Sequence, residues 1–348
     1  MKSQIQGYEI FPGEHCGSVA MRGLLNHYCD LQLPEPAVFG LGSGIECLYI
    51  NKGPTDPAIM VVGRTMGLEV DLASALGIDY REQREDDDAK AWELVRDEVT
   101  AGRPTMLSGD IFYLDYREYK VHFPGHRFVL LGFDDEVEKA YIADRIRDVP
   151  EACSYPALAA SRNPPVGMSL GNLWGRFHDT GVKRDLVEAT RLAIERASLR
   201  MLGESADGHD APAGESKTAS RAINGVAAIR QLAEELPGWA ERDDARSVAR
   251  FNASCIEKFG NGGGNFRRLY AGFLAWAREL DETLVPEDAA ALSVSAANGW
   301  TAISSHLAAA AEEGADPRHW TQAADLARHI AVTEESLFAG LAERIAPG

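Results

Sequence analysis

The stretch GHRFVLLGFDDEVEKAYIADR, residues 125–145, decides the fold of the first half of the chain. RFVLLGF is an unbroken apolar run of the kind that forms a fully buried strand, DDEVE is a tight polar turn, and KAYIAD reads as the strand returning beside it. Antiparallel pairing sets the beginning of one strand beside the end of the next, so His126 and Asp144 can be neighbours despite their separation in sequence. A histidine anchored on a rigid strand, with a carboxylate to fix its tautomer, is the base half of a nucleophilic site.

Such a base needs a nucleophile. FPGEHCGSVAMRGLLNHY, residues 11–28, places Cys16 directly after a Gly-Glu-His turn and before an amphipathic helix whose apolar face is Ala20, Met21, Leu24, Leu25 and Tyr28. At the first turn of that helix a cysteine meets unpaired N–H groups and the positive end of the dipole, which favour a thiolate. Taken singly, Cys16 reads as packing, His126 as a strand-edge histidine on a backbone carbonyl and Asp144 as a turn residue. Their joint occurrence points to chemistry. Cys29, Cys47, Cys153 and Cys255 have no comparable His–Asp hairpin and read as packing or surface thiols.

The surrounding segments give the fold class. LPEPAVFGLGSGIECLYI ends in a strand, and AWELVRDEVTAGRPTMLSGDIFYL reads as a helix over 91–100, a Gly-Arg-Pro stop and a strand from about Thr105. From about Asn172 nearly every segment has helical periodicity, with helices expected over 219–236, 241–259, 265–281, 286–313 and 317–345. GESADGHDAPAGESKT, 203–218, reads as a mobile loop, and no repeat of fixed period is present. The expectation is α+β: a catalytic domain with an antiparallel sheet over 1–170 and an all-α helical domain over 171–348.

Composition narrows the classes of function. In 348 residues, 35 basic and 53 acidic side chains leave a net charge of −18, which argues against nucleic acid or an anionic membrane as partner. Five irregularly spaced cysteines without a CxxC pair give neither a disulfide framework nor a zinc site. Without an apolar leader or a clean apolar run of about twenty residues, the chain reads as cytoplasmic. FGLGSG, 39–44, could bring Gly42 and Ser43 to a substrate or be an ordinary turn; it is neither a GxGxxG fingerprint nor a P-loop. GNGGGN separates two helices, and REQREDDDAK is a solvated helix start rather than a metal cage. No metal and no cofactor is expected.

The order Cys, His, Asp resembles papain-like cysteine enzymes. GRPTMLSGDIFYLDY with the hairpin looks like the sheet of bacterial leader-trimming cysteine peptidases. More closely, EHCGSVAMRGLLNHY, VFGLGSGIECLYI and the hairpin resemble the N-terminal domain of the butirosin-biosynthesis acyltransferase (BtrH-type) family. GNGGGNFRRLYAGFLAWA, 260–277, is similar to the helical domain of little-known function that follows it. The resemblance implies acyl transfer from a carrier-protein thioester through a cysteine acyl-enzyme to an amine-bearing small molecule, with Cys16 as nucleophile, His126 as base and later acid, and Asp144 as orienting carboxylate. The glutamine that supplies an oxyanion donor a few residues before the cysteine in papain-like peptidases has no match here: Glu14 and His15 stand there, leaving the Cys16 N–H with His15 or Gln6 as candidates.

His122, four residues before His126, is a rival base or a substrate contact. A basic patch of Arg145, Arg147, Arg162 and Arg176 is expected to receive the acidic carrier. The same triad would serve a thioesterase, cyclase or peptidase, and a catalytically silent binding protein is the alternative outside enzymes. For the helical half, covering the cleft and building a homodimer are both open.

Overall fold

The computed structural model of the chain describes residues 1–53, 55–165, 169–204 and 221–346. Its elements begin with β1 (Lys2–Gln4), α1 (Cys16–Cys29), α2 (Glu35–Leu41), β2 (Ile45–Asn51), β3 (Ile59–Arg64) and α3 (Leu68–Leu76). The chain continues through β4 (Asp79–Gln83), α4 (Asp88–Thr100), β5 (Thr105–Gly109), β6 (His126–Asp134), β7 (Lys139–Ala143), β8 (Glu151–Ser154), α5 (Tyr155–Arg162) and β9 (Trp174–Asp179). The remainder is α6 (Leu186–Leu202), β10 (Arg221–Asn224), α7 (Gly225–Glu235), α8 (Ala245–Glu257), α9 (Arg267–Leu280), α10 (Ala289–Ala310) and α11 (Arg318–Ile345). The expected loop over 203–218 lies, from 205 onward, outside the described residues.

Two compact units result, and neither is continuous in sequence: Met1–Glu35 joins Gly77–Lys183, and Pro36–Leu76 joins Arg184–Gly348. A single boundary after residue 170 therefore does not divide the chain. Strand pairing is the reason. β9, beyond the expected boundary, inserts between β4 and β5, whereas β2 pairs with β10 through Tyr49 opposite Ile223 and so belongs with the helices.

The first unit is built on a wholly antiparallel seven-stranded sheet in the order β4-β9-β5-β6-β7-β8, with β1 extending along the end of β6. β6 is the central strand, buried along nearly its whole length as its apolar run requires. One edge is shared between β5 and β1, and the other carries β7. Leu107, Phe128, Leu130, Ile142 and Trp174 from five different strand positions meet Val95 and Val99 of α4 in one core. α1 buries Ala20, Met21, Leu24 and Leu25 as its spacing dictates, and ends at Asp30 in the left-handed region, whose N–H bonds the Leu25 carbonyl.

The second unit carries the three-stranded antiparallel sheet β10-β2-β3 and helices α6 to α11, so the helical expectation for the C-terminal part holds. α7 to α11 fall within a few residues of the expected spans, except that 221–224 is strand rather than helix. The buried Asn252 on α8 fastens this sheet, accepting from Val61 N–H at 2.8 Å and donating to the Ile59 carbonyl at 3.0 Å.

Candidate functional site

Cys16 is the first residue of α1. Two interactions fix the turn before it. The buried Glu35 carboxylate accepts from the Glu14 N–H at 3.0 Å and the His15 N–H at 2.7 Å. His15 caps the helix, its Nδ1 accepting from the Ser18 N–H and lying 2.8 Å from the Ser18 hydroxyl. Gly13 is required here, because a Cβ would stand 2.4 Å from a Glu35 oxygen. Burial pushes the Glu35 carboxyl up, while the two N–H groups pull it back.

His126 opens β6 and Asp144 follows the last residue of β7. The hairpin alone does not align them. Near the turn, Gly132 faces Tyr141 and Phe133 faces Ala140, a register that would set Asp144 opposite Val129, on the face away from His126. A bulge at Leu131 shifts the pairing by one residue, so that Val129 faces Ala143 and Asp144 falls opposite Phe128. Phe128 shares a face with His126, their rings 5.9 Å apart. Asp144 thereby becomes a diagonal neighbour of His126, and the His126 Nε2 lies 2.9 Å from its Oδ1.

The His126 side chain also hydrogen-bonds with Cys16. With Nε2 committed to Asp144, Nδ1 is the nitrogen left for the sulfur. Both His126 and Asp144 are buried. Burial opposes a charged imidazole, but the adjacent Asp144 carboxylate outweighs it and holds His126 well above the usual histidine range. Burial likewise opposes the Asp144 charge, and His126, the Arg145 N–H and the Tyr116 hydroxyl together keep its carboxyl far below the usual range.

Tyr116, Glu35 and Arg145 complete the group and were not singled out from the sequence for these roles. The Tyr116 hydroxyl donates to Asp144 Oδ2 at 2.9 Å, and the Arg145 N–H to Oδ1 at 2.7 Å. The Gly13 N–H donates to the Arg145 carbonyl at 2.8 Å, which ties the turn before Cys16 to the chain just past Asp144. Cys16 and Asp144 are thus held in one frame.

The other expected residues lie elsewhere. His122 sits 2.7 Å from Asp110 and stacks on Phe112, while Asp110 follows Gly109, the residue paired with His126. Gln6 is exposed and donates to the Gln4 carbonyl. Gly42 and Ser43 belong to the second unit and are consumed by its packing. A Cβ at Gly42 would stand 2.8 Å from the Leu68 carbonyl oxygen, and Ser43 is fully buried, donates to the Ala193 carbonyl and accepts from Arg200. The ordinary-turn reading describes them. Arg162 is likewise removed from the expected basic patch: it is 2 % exposed and donates to the Ala91 carbonyl. Arg147 stays exposed beside Glu151, and Arg176 is half-buried against Glu98. Among the described residues no cluster of three or more His, Cys, Asp or Glu could hold a metal, and no helix is long and apolar enough to cross a membrane.

No curated protein matches the chain. The family profile described as butirosin biosynthesis protein H, N-terminal, matches residues 15–145, a span containing Cys16, His126 and Asp144. A second profile, described as a domain of unknown function, matches 158–341. The N-terminal description points to an enzyme of antibiotic biosynthesis. The two matches in tandem cover most of the sequence, and the chain is a butirosin biosynthesis protein H N-terminal family domain followed by that domain of unknown function.

Proposed function

We propose that the protein is a papain-like, cysteine-dependent acyltransferase that moves an acyl or aminoacyl group from a carrier-protein thioester to an amine of a natural-product intermediate. The observation that supports this reading best is one buried histidine hydrogen-bonded to Cys16 on one side and to Asp144 on the other. In the first half-reaction the Cys16 sulfur attacks the thioester carbonyl and forms a new carbon–sulfur bond. The tetrahedral intermediate collapses, and His126 gives its proton to the departing carrier thiol. In the second half the acceptor amine attacks the acyl-enzyme, His126 takes the amine proton, and the Cys16 sulfur leaves as the amide forms. Asp144 holds the imidazole in the tautomer that both steps require.

Charge on the acyl oxygen needs donors in both halves. The amides of Glu14 and His15 are bound to Glu35 and do not serve. We assign the Cys16 N–H as one donor. The second is the His15 Nε2–H, whose proton is placed there because the Nδ1 lone pair accepts from Ser18. Arg147 and Arg145 are the remaining candidates for guiding an acidic carrier.

Intact-mass measurement after incubation with carrier-bound acyl thioesters tests the reading. The wild type should gain the mass of the acyl group, and Cys16→Ala should gain nothing. An adduct that persists in Cys16→Ala sinks it. Added amines then separate the alternatives, since amide product marks a transferase and free acid a thioesterase working from the same triad.

A further inference from the structure

α1 carries a second feature away from Cys16. Arg22 lies six residues along the helix, about 9 Å of axial rise, and lines a cavity of about 200 Å³. That volume equals roughly seven molecules of liquid water, room for a small metabolite. The guanidinium lies over the Phe11 ring, 4.1 Å from its centroid, which occupies its face and leaves its N–H edges for an acceptor. Its Nε–H is buried with no hydrogen-bond partner. The protein itself therefore does not satisfy this guanidinium through Nε.

The walls define the ligand further. Phe11, Leu33 and Pro34 give an apolar lining. On the rim stands Glu9, held by the Asn26 amide at 3.1 Å, so the cavity presents one cation and one anion. Because Nε is closed off, the reachable donors are the two terminal Nη groups, an end-on fork that matches a carboxylate, and Glu9 can receive an ammonium group. We infer that this cavity is a recognition site for a small amino acid, its carboxylate on Arg22 and its amine at Glu9. Arg22 also helps to hold the Glu35 charge, so its link to the turn before Cys16 is electrostatic, while ligand binding is read by calorimetry and needs no Cys16 turnover.

Three probes on one three-carbon skeleton test it by titration calorimetry on the full chain: β-alanine, propionate, which lacks its amine, and propylamine, which lacks its carboxylate. β-Alanine should bind saturably in the millimolar range, about threefold or more tighter than propionate, with propylamine silent. Arg22→Lys keeps the charge and the apolar stem but loses the fork, and should weaken β-alanine at least about tenfold, as should Arg22→Gln. Glu9→Gln should bring β-alanine and propionate to equal affinity. A circular-dichroism melt of each variant establishes that it is folded. No saturable binding of β-alanine, unchanged affinity in folded Arg22→Lys, or inorganic phosphate binding more tightly than β-alanine would each overturn the assignment.

Discussion

Each compact unit buries a charged pair, and the two pairs behave oppositely. In the helical unit Arg267 is closed on all sides: Nε and Nη2 each donate to Glu334 at 2.7 Å, and Nη1 to the carbonyls of Glu46, Gly63 and Asn265. Trp300 Nε1 completes Glu334 at 2.9 Å. A guanidinium does not give up its proton, so this cluster acts as a staple. In the sheet unit His126 is equally buried and equally paired with a carboxylate, but an imidazole can discharge, and its other side meets a thiol. Burial and pairing therefore do not by themselves mark a reaction centre. A paired group that can lose its proton beside a thiol is the better candidate for one.

Removing the carboxylate from each pair should break this comparison most visibly. Asp144→Asn leaves His126 free to become neutral, so the fold tolerates the change, whereas turnover should fall by on the order of 10³ to 10⁴ because the imidazole loses its tautomer and orientation. Single-turnover acylation alongside a thermal melt measures both, and turnover within tenfold of wild type contradicts the assignment of Asp144. Glu334→Gln offers Arg267 no such escape. It should lose about 3–5 kcal/mol in urea unfolding, because an uncompensated buried charge remains. A loss under about 1 kcal/mol would mean that the cluster is solvated or relaxes easily.

Alkaline pH sharpens the same contrast. The folded state raises the His126 pKa to about 10, against an unfolded value of about 6.5, so the stability it contributes is full below about pH 6.5 and is lost as pH rises towards 10. Asp144 acts in the other direction: its pKa is depressed on folding, so its contribution is present above about pH 4 and declines only in acid. Arg267 does not titrate in this range. Amide exchange, corrected for intrinsic rates, should therefore show β6 and β7 losing protection between pH 6.5 and 9.5 while α9 and α11 hold theirs. Equal losses in both units would remove the distinction.

How much of this could be read in the residues depends on range. The hairpin of β6 and β7, the start of β5 at Thr105 and the helix opened by Cys16 are local patterns, and each lies where the sequence places it. β9 is six residues inside a region that reads as helical, and only its pairing with β4 and β5 reveals it. The same holds for 36–76, whose strand signal was legible but whose partner, β10, lies far along the chain. Cys16, His126 and Asp144 could be picked out because residue type and element ends coincide. The bulge at Leu131 could not, and simple pairing would have put Asp144 on the wrong face. Glu35 reaches the site from the start of α2 and Tyr116 from a turn, and in both cases tertiary packing rather than periodicity decides what meets what.

Tyr116 supplies the smallest and most discriminating test. Its hydroxyl donates to the Asp144 oxygen that His126 does not use, and burial keeps it protonated by pushing its own pKa far up. Tyr116→Phe deletes one hydrogen bond to a charged group, about 1.5–3 kcal/mol at most, part of which a water can restore. Asp144 then becomes more basic, because that donor had stabilised its charge. A more basic carboxylate holds the His126 proton more firmly, so the alkaline limb of kcat/KM should move to higher pH as turnover falls about five- to tenfold. Loss of packing alone would lower the rate and leave the limb in place. A limb that stays fixed would make Tyr116 a structural residue and leave Asp144 to act with the Arg145 amide alone.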